Sequence, residues 1–286
     1  MGELIFLNNF HCIIYTNLTV KMKDSFGKTE MEDFIDFSAL IKSRLEVDQN
    51  DELMPQHPFR MLVVGGSGSG KTNMVMNLIM SKLKYDRLYL YAKDLEEDKY
   101  NFLLKYFADI QQGLKYEQKI DDNEQIIYSG TSYEDITPVD DLDKKKQNLV
   151  IFDDFITEKR HEKIEEYFIR GRKKNCSLIY ISQSYTDIPK KIRLQCDYFA
   201  IYSIKSGNEL INLRKEHGLG MEKEEFKRFF SEATRDKFNF ALIDRRTGDD
   251  SLRFRNNFSA YCVGAAAHCV GVAKFTRGTP RYSTLK

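Results

Sequence analysis

Eight consecutive residues, Gly65, Gly66, Ser67, Gly68, Ser69, Gly70, Lys71 and Thr72, bring together the groups needed to hold a chain of phosphates. Gly65, Gly70, Lys71 and Thr72 fall at the spacing G-x-x-x-x-G-K-[ST], the Walker A or P-loop pattern. Glycines let the backbone curl so that successive N–H groups point inward, where a side chain would obstruct the ligand. Lys71 is expected to reach the β- and γ-phosphates of a nucleoside triphosphate, and the Thr72 hydroxyl to ligate Mg²⁺. Residues 59–80 (FRMLVVGGSGSGKTNMVMNLIM) supply the positioning elements: a short apolar strand, the loop, and a helix whose positive N-terminal end faces the same anion. A glycine-rich turn without a ligand is the competing reading, but the motif and its required strand–loop–helix context occur together. ATP and Mg²⁺ are the expected cofactors.

A second set of groups lies downstream. Residues 148–152 (NLVIF) form a near-continuous apolar run that ends in Asp153 and Asp154. Buried parallel strands have this composition, and their carboxyl ends are where α/β proteins place ligands. In this Walker B pattern Asp153 is expected to hold Mg²⁺ through water, facing Thr72, and Asp154 to orient and deprotonate the attacking water. The next strand pattern, 177–182 (SLIYIS), is followed by Gln183, which can hydrogen-bond a γ-phosphate or the lytic water. Just before that strand, YFIRGRKKN places Arg170 and Arg172 near a helix end. A guanidinium is a permanently charged fork suited to phosphoryl oxygens, so either is a candidate arginine finger. Judged on the residues alone, each is better explained as a basic helix end that complements the macrodipole.

The remaining chain bounds these readings. Its 286 residues suit one large α/β domain with appendages, and a net charge of +1 excludes a generally basic binder. No apolar run approaches the roughly 18 residues of a membrane span. The N-terminal stretch is too short and too interrupted for a signal peptide, so an intracellular, non-secreted protein is expected. Met1-Gly2 fails the myristoylation pattern because position 6 is Phe6. The five cysteines, with no CxxC pair, read as reduced thiols; Cys262, His268 and Cys269 lack a fourth ligand at a zinc spacing. Strands are expected at Arg87–Ala92 and 126–128, a short helix at 31–45, and a longer helix at 96–114 whose aromatic residues, Tyr100 among them, serve packing. Residues 138–147 read as a charged, solvated loop. We expect an N-terminal extension over 1–50, an ATPase domain over 51–260 and a tail over 261–286. Alternating strand and helix patterns predict an α/β fold with a mainly parallel central sheet flanked by helices.

The order of these motifs resembles the FtsK–HerA superfamily of DNA-pumping ATPases. The P-loop, a DD-type Walker B, RGRKKN, and then LIYISQSY with IPKKIR look most like the poxvirus-type virion packaging ATPases of large DNA viruses, virophages and Polinton (Maverick) elements. The resemblance runs from about Phe59 to Phe258. It implies a P-loop NTPase fold of the RecA, additional-strand type, Gln183 as the polar sensor, and Arg172, with Arg170 as second choice, acting in trans on a neighbour's ATP. It also implies a homo-oligomeric ring (hexamer or pentamer) around double-stranded DNA, capsid proteins as partners, and a virion or viral assembly site as location. Many relatives have Glu where this chain has Asp154. Lys190, Lys191, Arg193, Arg245 and Arg246 are basic candidates for DNA contact, with a solvated face as the equal alternative. A DNA translocase or helicase-like ATPase outside packaging, a nucleotide kinase, and a nucleotide-gated scaffold are the competing functions.

Overall fold

The computed structural model describes residues 52–155 and 160–259. The expectations for 1–50, the 31–45 helix, the Cys262–His268–Cys269 group and the tail therefore lie outside the described residues. The described strands are β1 (Arg60–Val64), β2 (Arg87–Ala92), β3 (Ile127–Gly130), β4 (Asn148–Asp153), β5 (Cys176–Ser182), β6 (Tyr198–Ile201), β7 (Ala241–Asp244) and β8 (Phe254–Asn256). The helices are α1 (Lys71–Ser81), α2 (Asp98–Tyr116), α3 (Glu162–Arg170), α4 (Lys190–Gln195), α5 (Gly207–His217) and α6 (Lys223–Ala233).

The strands form one sheet in the order β3-β2-β4-β5-β1-β6-β7-β8, parallel from β3 to β6, with β7 and β8 antiparallel at one side. β5 lies between the P-loop strand β1 and the strand β4 that ends in Asp153. This is the additional strand expected of the fold class, and the α/β architecture with a largely parallel sheet is the one anticipated.

Each strand alternates its side chains between two cores, as a pleated strand must. Met61, Val63, Leu149, Ile151, Ile179 and Ile181 face α1 and α2, meeting Val75, Leu78, Leu103 and Phe107. Leu62, Val64, Val150, Phe152, Leu178 and Tyr180 face the other way, onto Ile164 and Tyr167 of α3, Ile192 of α4 and Leu213 of α5. Because both faces are covered, the strands read as continuous apolar runs rather than alternating ones. The third strand begins one residue later than expected and the long helix spans Asp98–Tyr116. The charged 138–147 segment is less solvated than expected: Val139 and Leu142 are buried, and Asp140 pairs with Arg170 and Lys174.

Several of the basic residues considered for DNA contact are instead structural. Arg193 is buried; its guanidinium binds both carboxylate oxygens of Glu216 on α5, at 3.0 and 2.8 Å, and three loop carbonyls between Tyr185 and Ile188. The short helix α4 turns Ile192 and Arg193 inward, which places this arginine on the core side of IPKKIR. Arg245 donates to the carbonyls of Leu194 and Cys196, and Arg246 to those of Gln56 and Pro58. Lys190 and Lys191 stay exposed. Breaking a buried pair by removing one partner costs about 3–5 kcal/mol. Arg193→Ala is therefore expected to lower the urea midpoint markedly, by about 3 kcal/mol of stability, whereas Lys190→Ala leaves it unchanged.

Candidate nucleotide site

The glycine loop follows β1 and leads into α1. Gly65 donates its N–H to the Ser182 carbonyl at 3.1 Å, tying the loop's start to the end of β5. The backbone comes so close to β6 that a Cβ on Gly65 would lie 2.6 Å from the Tyr202 Cβ, closer than two carbons can approach. Gly70 adopts φ 99°, and a Cβ there would meet the Phe238 ring at 3.0 Å. Only glycine meets both demands at once. The resulting loop is a backbone cradle, and α1 leaves it with free N–H groups at its start.

Lys71 lies across this cradle. Its ammonium donates to the carbonyls of Gly65 at 2.6 Å and Gly66 at 3.0 Å. Burial lowers its pKa, while the charges of Asp153 and Asp154 oppose that shift. The ammonium and both carboxylates thus belong to one electrostatic neighbourhood, at the carboxyl ends of β1 and β4.

Asp153 is the last residue of β4, and burial pushes its carboxyl up to about 6 despite the nearby Lys71. The Tyr100 hydroxyl donates to its Oδ2, and the Thr72 side chain lies near the same phenol. Tyr100 therefore does more than pack: its ring lies in the core beside α2 and its hydroxyl reaches the carboxylate. Helical spacing marked it as inward-facing, which an apolar residue would satisfy equally well, so nothing in the pattern distinguished the hydroxyl's destination.

Asp154 turns off the strand at φ 56°, a left-handed conformation that Asp and Asn tolerate better than longer side chains. This turn places its Oδ2 3.1 Å from Gln183 Nε2, which donates to it. Gln183 is exposed at the end of β5, beside β4 as its place in the sequence suggested. The segment after it is anchored by Glu209 of α5. One carboxylate oxygen accepts from the Ser184 hydroxyl at 2.6 Å and the Tyr185 N–H at 2.8 Å. The capping pattern Ser206–Glu209 is readable in the sequence, and the Ser206 hydroxyl does accept from the Glu209 N–H. The Glu209 side chain, however, goes to the segment behind Gln183, a contact 25 residues away in sequence.

Arg170 and Arg172 are not in this constellation. They flank the start of the short turn Gly171–Lys174, at the amino end of β5. Seven residues of β5 separate that end from Gln183, about 20 Å at 3.3 Å per residue. Arg172 is exposed and bonds Asp197 at 2.7 Å, a carboxylate shared with Arg60. Arg170 bonds Asp140 at 2.5 Å.

Asp153 carries a measurable consequence. Unfolded, an Asp carboxyl titrates near 3.9; folded here, near 6. Between those values the folded chain keeps a proton that the unfolded chain has released, so stability falls as pH rises from about 4 through 6. Without metal or nucleotide, the protein is expected to lose on the order of 2 kcal/mol across that window relative to Asp153→Asn. Urea denaturation of the two proteins at pH 4 and 7 measures the difference.

Among the described residues no group of three His, Cys, Asp or Glu could hold a metal by itself, and no helix is long and apolar enough to cross a membrane. Cys176 and Cys196 are buried free thiols.

The profile of the family described as Poxvirus A32 protein matches residues 46–247. The DNA packaging protein OPG160 of Variola virus is 29% identical over 154 residues, covering 51% of this chain and 54% of that protein. The OPG160 protein of Vaccinia virus (strain Copenhagen) matches with the same identity and coverage. The chain thus spans about half the length of the curated relatives it matches. Among solved structures, B204, the DNA-packaging ATPase from Sulfolobus Turreted Icosahedral Virus, is 15% identical, with a TM-score of 0.45 over 71% of this chain and 98% of that one.

Proposed function

This chain belongs to the Poxvirus A32 protein family, and from that premise we propose that it is an ATP-hydrolysing motor that moves double-stranded DNA, packaging a viral or virus-like genome into its capsid. The observation that carries the hydrolytic part is the Gln183–Asp154 contact of 3.1 Å beside the glycine loop. A polar sensor and an acid at the ends of adjacent strands suit the activation of water at a γ-phosphate better than transfer to a nucleoside.

The residues fit ATP and Mg²⁺. The loop from Gly65 to Thr72 has the backbone curvature for phosphates, and Lys71 can exchange its two carbonyl contacts for phosphate oxygens. Thr72 and Asp153 supply oxygen donors on facing elements, the set that Mg²⁺ takes when it keeps several waters. The metal, when bound, neutralises the charge that develops on the phosphoryl oxygens. Asp153 keeps Oδ1 for this role while its Oδ2 accepts from the Tyr100 hydroxyl. Asp154 orients and deprotonates the water, while Gln183 holds Asp154 and reads the presence of the γ-phosphate.

Arg172 acts on a neighbouring subunit. Its position on an exposed turn, about 20 Å from Gln183 at the other end of β5, lets it face a second copy once it exchanges Asp197 for that partner, and Arg170 is the alternative. Such head-to-tail contacts generate a ring when they close. Lys190 remains available to phosphates of a DNA backbone, while Lys191, exposed, is paired with Glu165 at 3.1 Å and would have to exchange that partner for a phosphate. The virion, or the site of its assembly, is the proposed place of action.

The test is ATP turnover with and without linear double-stranded DNA across a salt series, with Lys71→Ala as the control. Stimulation that weakens steeply with salt supports phosphate contacts; turnover indifferent to DNA at every salt concentration counts against the motor. Mixing separately inactive Lys71→Ala and Arg172→Ala subunits is expected to restore part of the activity, because in one of the two orientations of a mixed head-to-tail interface an intact loop meets an intact arginine. Arg172→Ala protein that turns over ATP at the wild-type rate would rule out the trans arginine.

A further inference from the structure

Phe238 has no place in the motifs above, and neither core explains it. It lies in the loop 234–239 between α6 and β7. Because β7 runs antiparallel to β6, Ala241 pairs with Ile201, which in turn pairs with Val64 at the end of β1. That register carries the loop to the end of the sheet where the glycine loop emerges. There the Phe238 ring meets Gly70, the last glycine before Lys71: a Cβ on that glycine would sit 3.0 Å from Phe238 Cδ1.

Three observations mark the ring as placed rather than packed. It is half-buried and belongs to neither hydrophobic core. Its backbone holds φ 72°, a conformation in which a bulky residue is a genuine outlier and which persists only where the surroundings impose it. The surroundings do so: Asn257 accepts from the Phe240 N–H at 3.0 Å and donates to the Asn239 side chain at 2.9 Å, fixing the loop just past the phenyl ring. In addition, Lys237 Nζ lies 4.8 Å from the ring centroid, so the ring presents a face to an exposed polar side chain.

The direction of the cradle says what that face would meet. Lys71 points back to Gly65 and Gly66, the end shared with Asp153 and Asp154, so the γ-phosphate belongs there. The α-phosphate, and the nucleoside attached to it, then leave at the opposite end, by Gly70 and the start of α1. We propose that Phe238 is the platform on which the base of the bound nucleoside triphosphate stacks, held by loop 234–239 against the last glycine of the P-loop. This assignment rests on the nucleotide reading of the P-loop. Every base has a π-face, so the platform favours a nucleoside over bare phosphates without choosing strongly among bases.

The chain contains no tryptophan, so Phe238→Trp introduces a single indole at the proposed site. Its fluorescence is expected to be quenched saturably by ATP and left unchanged by inorganic tripolyphosphate. Phe238→Ala is expected to raise the ATP dissociation constant about 10-fold, in line with base–aromatic stacking, to leave tripolyphosphate affinity within about two-fold, and to be rescued by Phe238→Tyr. The retained tripolyphosphate affinity shows that the variant is folded with its loop intact. If Phe238→Ala weakens ATP and tripolyphosphate equally, or weakens neither, the base platform is wrong while the P-loop reading stands. A wild-type protein that binds neither compound overturns both.

Discussion

Lys71→Ala lowers ATP turnover by roughly three orders of magnitude, the largest single effect expected in this chain. In the described state the ammonium holds the Gly65 and Gly66 carbonyls at 2.6 and 3.0 Å and lies in the field of two carboxylates. Removing it leaves Asp153 and Asp154 without their nearest cation at the moment a polyphosphate must enter beside them. Removing one preorganised donor aimed at charge that develops in a transition state costs about 2.7–4 kcal/mol, and each 1.4 kcal/mol is tenfold. Ground-state affinity and turnover should both fall. Steady-state phosphate release and equilibrium binding of ATP, compared between wild type and variant, measure the two separately. Lys71→Arg is not expected to rescue, because a planar fork cannot replace a compact ammonium between two carbonyls.

Asp154→Asn is expected to separate binding from hydrolysis. Asn tolerates the left-handed backbone that residue 154 adopts at φ 56° and can still accept from Gln183, so the local structure should survive. Only the capacity to take a proton is removed. General-base catalysis contributes about 10²- to 10⁴-fold, so turnover should fall by that range while ATP affinity changes little. Single-turnover hydrolysis with Mg²⁺ and DNA, alongside nucleotide binding, provides the check. A variant that hydrolyses at the wild-type rate would move the base elsewhere. The same conformation suits Asp better than the longer Glu, since β-carboxylates bond locally and are enriched at positive φ.

The placement of positions 65–72, 153–154 and 183 was legible because each group ends or follows an apolar run, and such runs have few conformations available. A buried parallel strand must be apolar on both faces, so the first polar residue after it marks the sheet's carboxyl edge. Asp153 after NLVIF and Gln183 after SLIYIS follow this rule, and β5 between β1 and β4 brings them beside the loop. Contacts that cross the chain had no such local mark. Arg193 in IPKKIR reads as one more surface cation until Glu216 is found opposite it. Tyr100 reads as core until its hydroxyl is seen on Asp153. Glu209 reads as a helix cap, and its side chain turns out to hold the segment behind Gln183.

What the sequence determined by itself, then, is the place of the glycine loop with its lysine and hydroxyl, of the acids and glutamine at strand ends, and the α/β layering. These follow from short-range rules of spacing, burial and backbone freedom. Tertiary structure decided which cations are structural, that Asp153 shares its carboxylate with Tyr100, that Arg172 lies at the far end of the sheet from its own loop, and that Phe238 rests on Gly70. Those relations depend on strand order and register, which join residues tens to more than a hundred positions apart. No local pattern encodes them.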